Sequence, residues 1–188
     1  MEIIDFNVGS QPWDSLQPPL LERDGTGPAR GWTDDVTGVT FEIVHGRMYL
    51  GSLPSNPVNR WLVFHRTVNQ QQTVLSIRFP FPPTFIRFKL ACDLVGPVVV
   101  RYYSRSPEDD LIEERRPPVS SVFTAVEYDR ICWPAAQVVI ASSDLTTSID
   151  DVEFGTQEPT GWSRSACKIS RAAHRVSQSL GSMFGGRR

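Results

Sequence analysis

Apolar and polar residues alternate along much of this chain, and the alternation predicts β-strands. Residues 75–79 read Leu-Ser-Ile-Arg-Phe, and residues 86–90 read Ile-Arg-Phe-Lys-Leu. A period of two places one apolar face on a core and leaves the other face toward water. The strands predicted in this way are 1–8, 39–44, 47–51, 61–66, 73–80, 85–92, 97–104, 121–128, 137–142 and 148–154.

Two segments between the predicted strands are interpreted as loops. Residues 9–35 are rich in Gly, Pro and Asp and contain Trp13 and Trp32. Long loops in compact domains are often functional. Residues 104–118 contain two blocks of charged residues and are interpreted as a solvated excursion. Because short strands follow one another without helical periodicity, the sequence predicts one all-β sandwich over about residues 1–155.

The order of these segments resembles the galactose-binding-domain-like jelly rolls that are common among carbohydrate-binding modules. The segments that carry the resemblance are Ile4–Phe6, Leu75–Pro80, Phe85–Phe88, Val138–Ala141 and Ile149–Phe154. The resemblance covers roughly residues 1–155. It implies a jelly-roll β-sandwich, and it implies a structural calcium ion near the terminal strands, as relatives of this fold often carry.

Aromatic residues beside polar ones are the candidate ligand-binding residues. An aromatic ring stacks on the apolar face of a sugar, while polar side chains bind its hydroxyl groups. The most loop-like candidates are Trp13, Trp32, Asp34 and Asp35. Trp61 and Trp133 lie beside predicted strands, and we expect both to belong to the core.

Three acidic residues in the first and last predicted strands are the candidate metal ligands. The first and last strands of such jelly rolls pair, which would bring Asp5 near Asp150 and Asp151. Three carboxylates at one edge repel one another unless a cation such as calcium, or an arginine, balances them. The alternative is that these acids end a strand and pair with arginine or water, because the sequence has no calcium loop with regular ligand spacing.

The cysteines of the chain are few and widely spaced. Cys92, Cys132 and Cys167 are odd in number, which argues against a disulfide framework, and they are not clustered as zinc ligands are. Cys92 and Cys132 stand in apolar surroundings and are predicted to be small core residues.

The C-terminal residues differ in charge from the rest of the chain. Residues 163–188 contain six basic residues and no acid, whereas residues 1–162 contain 13 basic and 21 acidic residues. As a helix, the segment has one apolar side and one basic side. The residues that define these two sides are Ile169, Val176 and Leu180, and Arg164, Lys168, Arg171 and Arg175.

This division predicts a linker at 156–162 and a basic amphipathic tail at 163–188, helical or disordered. Such a tail suits a partner's groove, a contact in homo-oligomer or particle assembly, nucleic acid or an anionic membrane. Docking onto the acidic body of the same chain is the competing interpretation.

Catalytic motifs do not stand out in the sequence. It contains no Gly-x-Ser-x-Gly elbow, no phosphate loop and no His-Glu-x-x-His. Its paired acids are adjacent residues, which point to opposite faces of a strand and suit a glycosidase poorly. The leading prediction is a non-catalytic module that recognises a glycan or protein surface through its loops. The alternatives are a structural subunit of a virion or phage particle and, last, a glycoside hydrolase.

The N-terminal residues and the longest apolar runs bear on location. The start of the chain lacks the basic and apolar regions of a signal peptide, and no apolar run is long enough to cross a bilayer. These observations predict a soluble chain that is cytoplasmic or virion-associated.

Overall fold

The computed structural model describes residues 1–4, 6, 21–23, 30–34, 36–53, 55–67, 70–93, 96–104, 111–157 and 167. These residues form twelve strands, so the predicted all-β class is confirmed. The strands are β1 (Glu2–Ile4), β2 (Leu21–Arg23), β3 (Arg30–Thr33), β4 (Thr40–Leu53), β5 (Asn56–His65), β6 (Thr73–Arg78), β7 (Phe85–Cys92), β8 (Val98–Tyr103), β9 (Leu111–Arg115), β10 (Thr124–Asp129), β11 (Gln137–Ser142) and β12 (Thr146–Gly155).

The strands form two antiparallel sheets that share β4. The front sheet has the order β10-β7-β12-β5-β4-β2, and β1 pairs with the end of β12. The back sheet has the order β9-β8-β11-β6-β4-β3. The first half of β4 pairs in the back sheet and the second half pairs in the front sheet. Because β1 pairs with β12, the predicted pairing of the first and last strands is confirmed.

The change of sheet within β4 occurs at Gly46. Its φ is +110°, and a Cβ there would come within 2.5 Å of the His65 carbonyl oxygen and would also clash with Thr73. Thr73 Oγ1 donates a hydrogen bond of 2.8 Å to the carbonyl of His45. Only glycine adopts this backbone conformation at such close approach without strain. The two strands predicted at 39–44 and 47–51 are thus one bent strand.

One cluster of buried apolar side chains fills the space between the sheets. The front sheet contributes large residues such as Phe88 and Tyr128, and the back sheet contributes Phe41 and Tyr102. Tyr102 stacks on Tyr128 with ring centroids 4.4 Å apart, so the inner faces of the two sheets are in contact. Each such side chain removed from water stabilises the fold by about 1.5–3 kcal/mol. The predicted sandwich is confirmed by this packing.

The two segments interpreted as loops contain strands. β2 and β3 lie within 9–35, and β9 lies within 104–118, so the loop interpretation is wrong at these places. Charged residues in β9 have cross-strand partners, as Arg101 Nε lies 2.9 Å from Glu114 Oε2. Such pairs stabilise antiparallel strands, and a charged segment can therefore form an edge strand.

The prediction that the cysteines form no disulfide is wrong. Cys132 is bonded to Cys167, with the two Cα atoms 4.8 Å apart, whereas Cys92 is a buried free thiol. Cys132 lies in the turn between β10 and β11 and is half-buried, so it is not the core residue that was expected. Spacing along the chain gave no sign of this bond, because 35 residues separate the two cysteines.

Of the predicted tail, the structure describes Cys167, which is buried and has α-helical conformation. The other tail residues fall outside the described residues, and the helical tail stays a prediction. Within the described part of the chain, no helix is long and apolar enough to span a membrane.

Candidate ligand-binding face

The loop residues predicted to bind ligand are partly used to build the β3–β4 hairpin. Trp32 is half-buried, and its ring lies 5.8 Å from that of Phe41 in the core. Asp34 is 4% exposed, and its Oδ2 accepts a hydrogen bond of 2.8 Å from the amide of Thr37. This bond closes the turn before β4. Trp13 and Asp35 lie outside the described residues, so the ligand role of the four residues stays a prediction.

A different surface brings aromatic residues together, and we call it the front face. It is the outer side of the front sheet, whose strands alternate between the core and this surface. Two rows of side chains cross it from β4 to β10. The first row, in pairing order, consists of Tyr49, Val63, Ser148 and Ala91. Phe123, the residue before β10, lies next to the Ala91 end of this row. The second row contains Gly51, Trp61, Lys89 and Ala125.

The rings of Trp61 and Phe123 meet across the centre of the front face. Their centroids are 6.0 Å apart and their planes are inclined at 72°. Trp61 is on β5 and Phe123 adjoins β10, and β12 and β7 run between these strands. Three strand spacings amount to roughly 14 Å, so both side chains must extend along the sheet toward each other. They form an aromatic layer over the smaller residues beneath.

The burial of the smaller residues is consistent with this aromatic layer. Val63 is 4% exposed and Ala91 is 7% exposed, although both belong to the outward-facing set of their strands. Trp61 and Phe123 are themselves only half-buried, so part of each ring remains accessible. The front face therefore presents an apolar platform to water. Side chains that only fill a core would not need this exposure.

Gly51 makes room for the indole of Trp61. It pairs directly with Trp61 across β4 and β5. A Cβ at Gly51 would lie 2.6 Å from Val63 Cγ2 and 3.1 Å from Trp61 Nε1. A side chain at this position would push the indole away, so the glycine helps to set the position of the ring.

A second aromatic pair lies beside the first. Tyr49 and His65 make an edge-to-face contact with ring centroids 5.5 Å apart. Burial, and then the negative charge of Asp93, raise the pKa of the Tyr49 hydroxyl above its ordinary value. Tyr49 therefore stays protonated at neutral pH and can donate a hydrogen bond.

Charged residues border the aromatic platform on its β7 and β12 side. Arg87 Nε lies 3.1 Å from Glu127 Oε1, and Lys89 pairs with Asp151. The hydrogen bond that Lys89 donates to Asp151, and then the negative charge of Asp151, raise the pKa of Lys89. These ion pairs hold the charged groups in place at the edge of the platform.

A β-bulge shapes this border. The register between β12 and β7 shifts between Asp150 and Glu153, and Asp151 has a φ of +47°. Aspartate is among the few non-glycine residues that enter this left-handed region readily. The amide of Asp151 donates a hydrogen bond of 2.9 Å to Asp150 Oδ1. Bulges are frequent beside binding sites because they redirect side chains.

Lys89 would compete with calcium for the site predicted at Asp150 and Asp151. Lys89 already balances the carboxylate of Asp151, and Asp150 accepts the bond just described. Among the residues that the structure describes, no group of three or more His, Cys, Asp or Glu side chains could hold a metal. Asp5, the third predicted ligand, lies outside them. The fit of the described pair to calcium is thus poor, and the three-residue site stays a prediction.

Trp61 is the residue that the sequence interpretation misplaced. It was expected in the core, but it belongs to the outward-facing set of β5 and is not part of the core cluster. Residues 61–64 read Trp-Leu-Val-Phe and are apolar on both sides of the strand. Such a run is typical of a strand that is covered on both faces, and this was the available sign that the outer face is not simply solvated.

No protein-family model and no curated protein match the chain. Among solved structures, it is similar to a family 29 carbohydrate-binding module from Piromyces equi, with 11% identity and a TM-score of 0.40 over 64% of this chain and 92% of that one. It is also similar to a family 4 carbohydrate-binding module, with 14% identity and a TM-score of 0.40 over 81% of this chain and 100% of that one. A third structure is the enzymatically active domain of bacteriophage CBA120 tailspike protein 4, with 12% identity and a TM-score of 0.42 over 64% of this chain and 20% of that one. These likenesses are distant.

Proposed function

We propose that this chain is a non-catalytic carbohydrate-binding module whose ligand lies on the front face. The observation that carries the proposal is the contact between Trp61 and Phe123 across two intervening strands. Their rings form a platform that is partly accessible and bordered by fixed charges. The proposal moves the binding site from the loops, where the sequence placed it, to the sheet.

The chemistry of the platform fits a sugar. A pyranose ring has C–H groups on one face, which pack on an aromatic ring, and hydroxyl groups at its edge, which accept and donate hydrogen bonds. Lys89 and Asp150 stand next to the platform and can bind those hydroxyls. Lys89 and Arg87 each pair with an acid of the same border, so neither is a cation held ready for an anionic ligand. This pairing favours an uncharged, hydroxyl-rich ligand.

Aromatic-to-alanine variants test the proposal. The parent chain is titrated calorimetrically with soluble oligosaccharides of glucose, mannose and galactose. Trp61→Ala and Phe123→Ala should each weaken binding at least tenfold, since a central aromatic contact contributes roughly 2 kcal/mol or more. The matched control is Phe81→Ala, because Phe81 is a partly exposed aromatic residue (38%) that lies off the front face, in the turn before β7. Equal affinity of all three variants and the parent would contradict the proposal.

The disulfide bears on where the protein acts. Disulfides persist in oxidising surroundings and are rare in the reducing cytosol. The bond between Cys132 and Cys167 therefore supports a site of action outside the reducing cytoplasm, in contrast with the cytoplasmic alternative. A particle subunit would also meet such surroundings, but it would form a large, defined oligomer, whereas a binding module can remain small. The solution mass discriminates between the two.

A further inference from the structure

We propose that Ser120 is a positioning residue that holds Phe123 in place on the front face. The proposal rests on the proposed function, because it concerns the affinity of the same face for its ligand. It comes from the turn of residues 120–123, which leads into β10 and in which the backbone leaves the regular ladder. Phe123 ends this turn and provides one of the two rings of the aromatic platform.

The ladder between β7 and β10 becomes irregular at this turn. The two strands pair regularly as far as Leu90 and Thr124. A regular continuation would place Val122 opposite Cys92. The amide of Cys92 instead donates a hydrogen bond of 2.9 Å to the carbonyl of Ser120. The backbone between Ser120 and Thr124 therefore runs outside the ladder.

This excursion removes Val122 from the core. In β10, Val126 and Tyr128 are buried in the core, and a regular strand would put Val122 on the same side. Val122 is instead 70% exposed, while Val119, earlier in the same loop, packs against the core. A connection that only joined β9 to β10 would not need to expose a valine, since burial of apolar surface stabilises a fold. Such departures are common beside binding sites, where they redirect side chains.

Side-chain hydrogen bonds fix the excursion. Ser120 Oγ donates a hydrogen bond of 3.1 Å to the carbonyl of Val122 and accepts one of 3.2 Å from its amide. Thr124 Oγ1 donates a bond of 3.3 Å to the same carbonyl. Both backbone groups of Val122 thus have partners although the residue has left the ladder, and Ser and Thr stabilise turns by such local bonds. Phe123 lies between Val122 and Thr124, so its backbone is held on both sides.

A fixed backbone at Phe123 bears directly on ligand binding. The ring of Phe123 meets that of Trp61 with centroids 6.0 Å apart, although it is carried by a turn that is exposed to water. A site whose groups are already in place loses less conformational entropy on binding than one that the ligand must order. Ser120 therefore acts through Phe123 and need not touch the ligand. On the other side of the platform, Gly51 has the matching role for Trp61.

Three serine substitutions in the full chain test the proposal. Ser120→Ala removes both side-chain bonds to Val122, whereas Ser120→Thr keeps the hydroxyl. The matched control is Ser143→Ala, because Ser143 Oγ also donates a hydrogen bond of 3.1 Å to a backbone carbonyl, that of Pro97. Each protein is titrated with the oligosaccharide that the parent binds best. Ser120→Ala should weaken binding about threefold to tenfold, while the other two variants should bind as the parent does.

A second readout needs no ligand. In the ligand-free parent, a nuclear Overhauser effect should connect the ring protons of Phe123 with the indole protons of Trp61, because the two rings are in contact. This effect should lose intensity in Ser120→Ala and keep it in Ser120→Thr and Ser143→Ala. The urea midpoints of Ser120→Ala and Ser143→Ala should be equal, so a general loss of stability would not account for the difference.

The outcomes separate this proposal from the proposed function. If Phe123→Ala loses binding while Ser120→Ala binds as the parent does, carbohydrate binding stands and the positioning role is wrong. The positioning role is also wrong if Ser120→Thr binds as weakly as Ser120→Ala, because the hydroxyl is then not the cause. If Phe123→Ala binds as the parent does, the proposed function fails, and the ring contact in the ligand-free chain alone decides whether Ser120 holds Phe123.

Discussion

The two outer faces of the sandwich carry different chemistry. On the back sheet, polar side chains contact one another: Arg78 lies 2.9 Å from Glu42, and Gln137 donates a hydrogen bond of 2.7 Å to Ser76. On the front sheet, aromatic side chains extend over smaller ones and meet ring to ring. Both faces belong to antiparallel sheets of similar size, so the fold alone does not account for the difference.

The difference separates stabilisation from recognition. Gln137 and Ser76 on the back sheet are 2% and 1% exposed and are satisfied by their mutual hydrogen bond, as a buried polar pair must be. On the front face, Trp61 and Phe123 keep part of their apolar surface in water, where it contributes less to stability than in a core. Partly exposed aromatic surface beside fixed polar groups is typical of a binding site. The following predictions test this contrast, beginning with the largest effect.

Loss of the disulfide should lower stability strongly without changing the front face. Removing a crosslink that closes a loop of this length costs about 3–4 kcal/mol of unfolding free energy, because the unfolded chain gains freedom. Cys132→Ser/Cys167→Ser should therefore show a much lower urea midpoint. Its sugar affinity, measured below that midpoint, should equal the parent's. An unchanged midpoint would contradict the crosslink, and a lost affinity would show that the front face depends on the C-terminal segment.

A pair of glycine substitutions compares the two faces directly. Gly51→Ala places a Cβ against Val63 and Trp61 on the front face, whereas Gly31→Ala places one 2.7 Å from Glu42 Cγ on the back sheet. Both changes should destabilise the fold by about 1–3 kcal/mol, since each overpacks its surroundings. Only Gly51→Ala should weaken sugar binding, by about tenfold. Equal affinities in the two variants would mean that the position of the indole does not matter.

Glu113 and Arg115 on β9 and Arg130 after β10 form a cluster of ion pairs that joins the edges of the two sheets. This cluster should make the free energy of unfolding depend on pH. Burial disfavours the charged form of Glu113, but the hydrogen bond that it accepts from Arg115 and the charges of Arg115 and Arg130 outweigh this and lower its pKa. A carboxylate with a lowered pKa contributes stability fully above about pH 5, and the contribution is lost as pH falls below about 4.

Glu113→Gln tests this contribution. The variant should lose about 1–2 kcal/mol at pH 7 and approach the parent in stability near pH 3. Urea unfolding at the two pH values measures the difference. A deficit that persists unchanged at pH 3 would show that the charge of Glu113 is not the cause.

Of the changes considered, the addition of calcium should alter the stability of the fold the least. Lys89 already balances Asp151 at the border of the front face, so a cation bound by Asp5, Asp150 and Asp151 would compete with it. Binding to the native state alone raises stability by mass action. We expect an increase in melting temperature of only about 1–2 °C in millimolar calcium relative to chelator. A rise many times larger would show that calcium displaces Lys89 and organises the site.

The sequence predicted the strands whose two faces differ. Alternation located β6 and β7 because polar residues interrupt their apolar sets, as Ser76 and Arg78 do in β6 and Arg87 and Lys89 do in β7. It failed for β9, whose charged residues lie on an edge strand and resemble a solvated loop. The short strands β2 and β3 were hidden within a segment rich in turn-forming residues.

The candidate site was harder to predict than the fold. Trp61 stands in a run in which the core-facing and the outward residues are all apolar. Alternation therefore cannot show on which face of β5 its side chain lies. Phe123 reaches Trp61 only because β10, β7, β12 and β5 are neighbours in the sheet, and this order is not visible in the chain. The contact between Cys132 and Cys167 depends in the same way on how the chain folds back.

The indole N–H resonances of the full chain provide the most direct test of the central claim. Five tryptophans give five such signals in a nitrogen–proton correlation spectrum, and the Trp61 signal is assigned by its absence in Trp61→Phe. On titration with the oligosaccharide that binds best, the account predicts that the Trp61 signal shifts while that of Trp32 does not. A shift of the Trp32 signal with an unmoved Trp61 signal would contradict the account and place the ligand at the loop that the sequence first suggested.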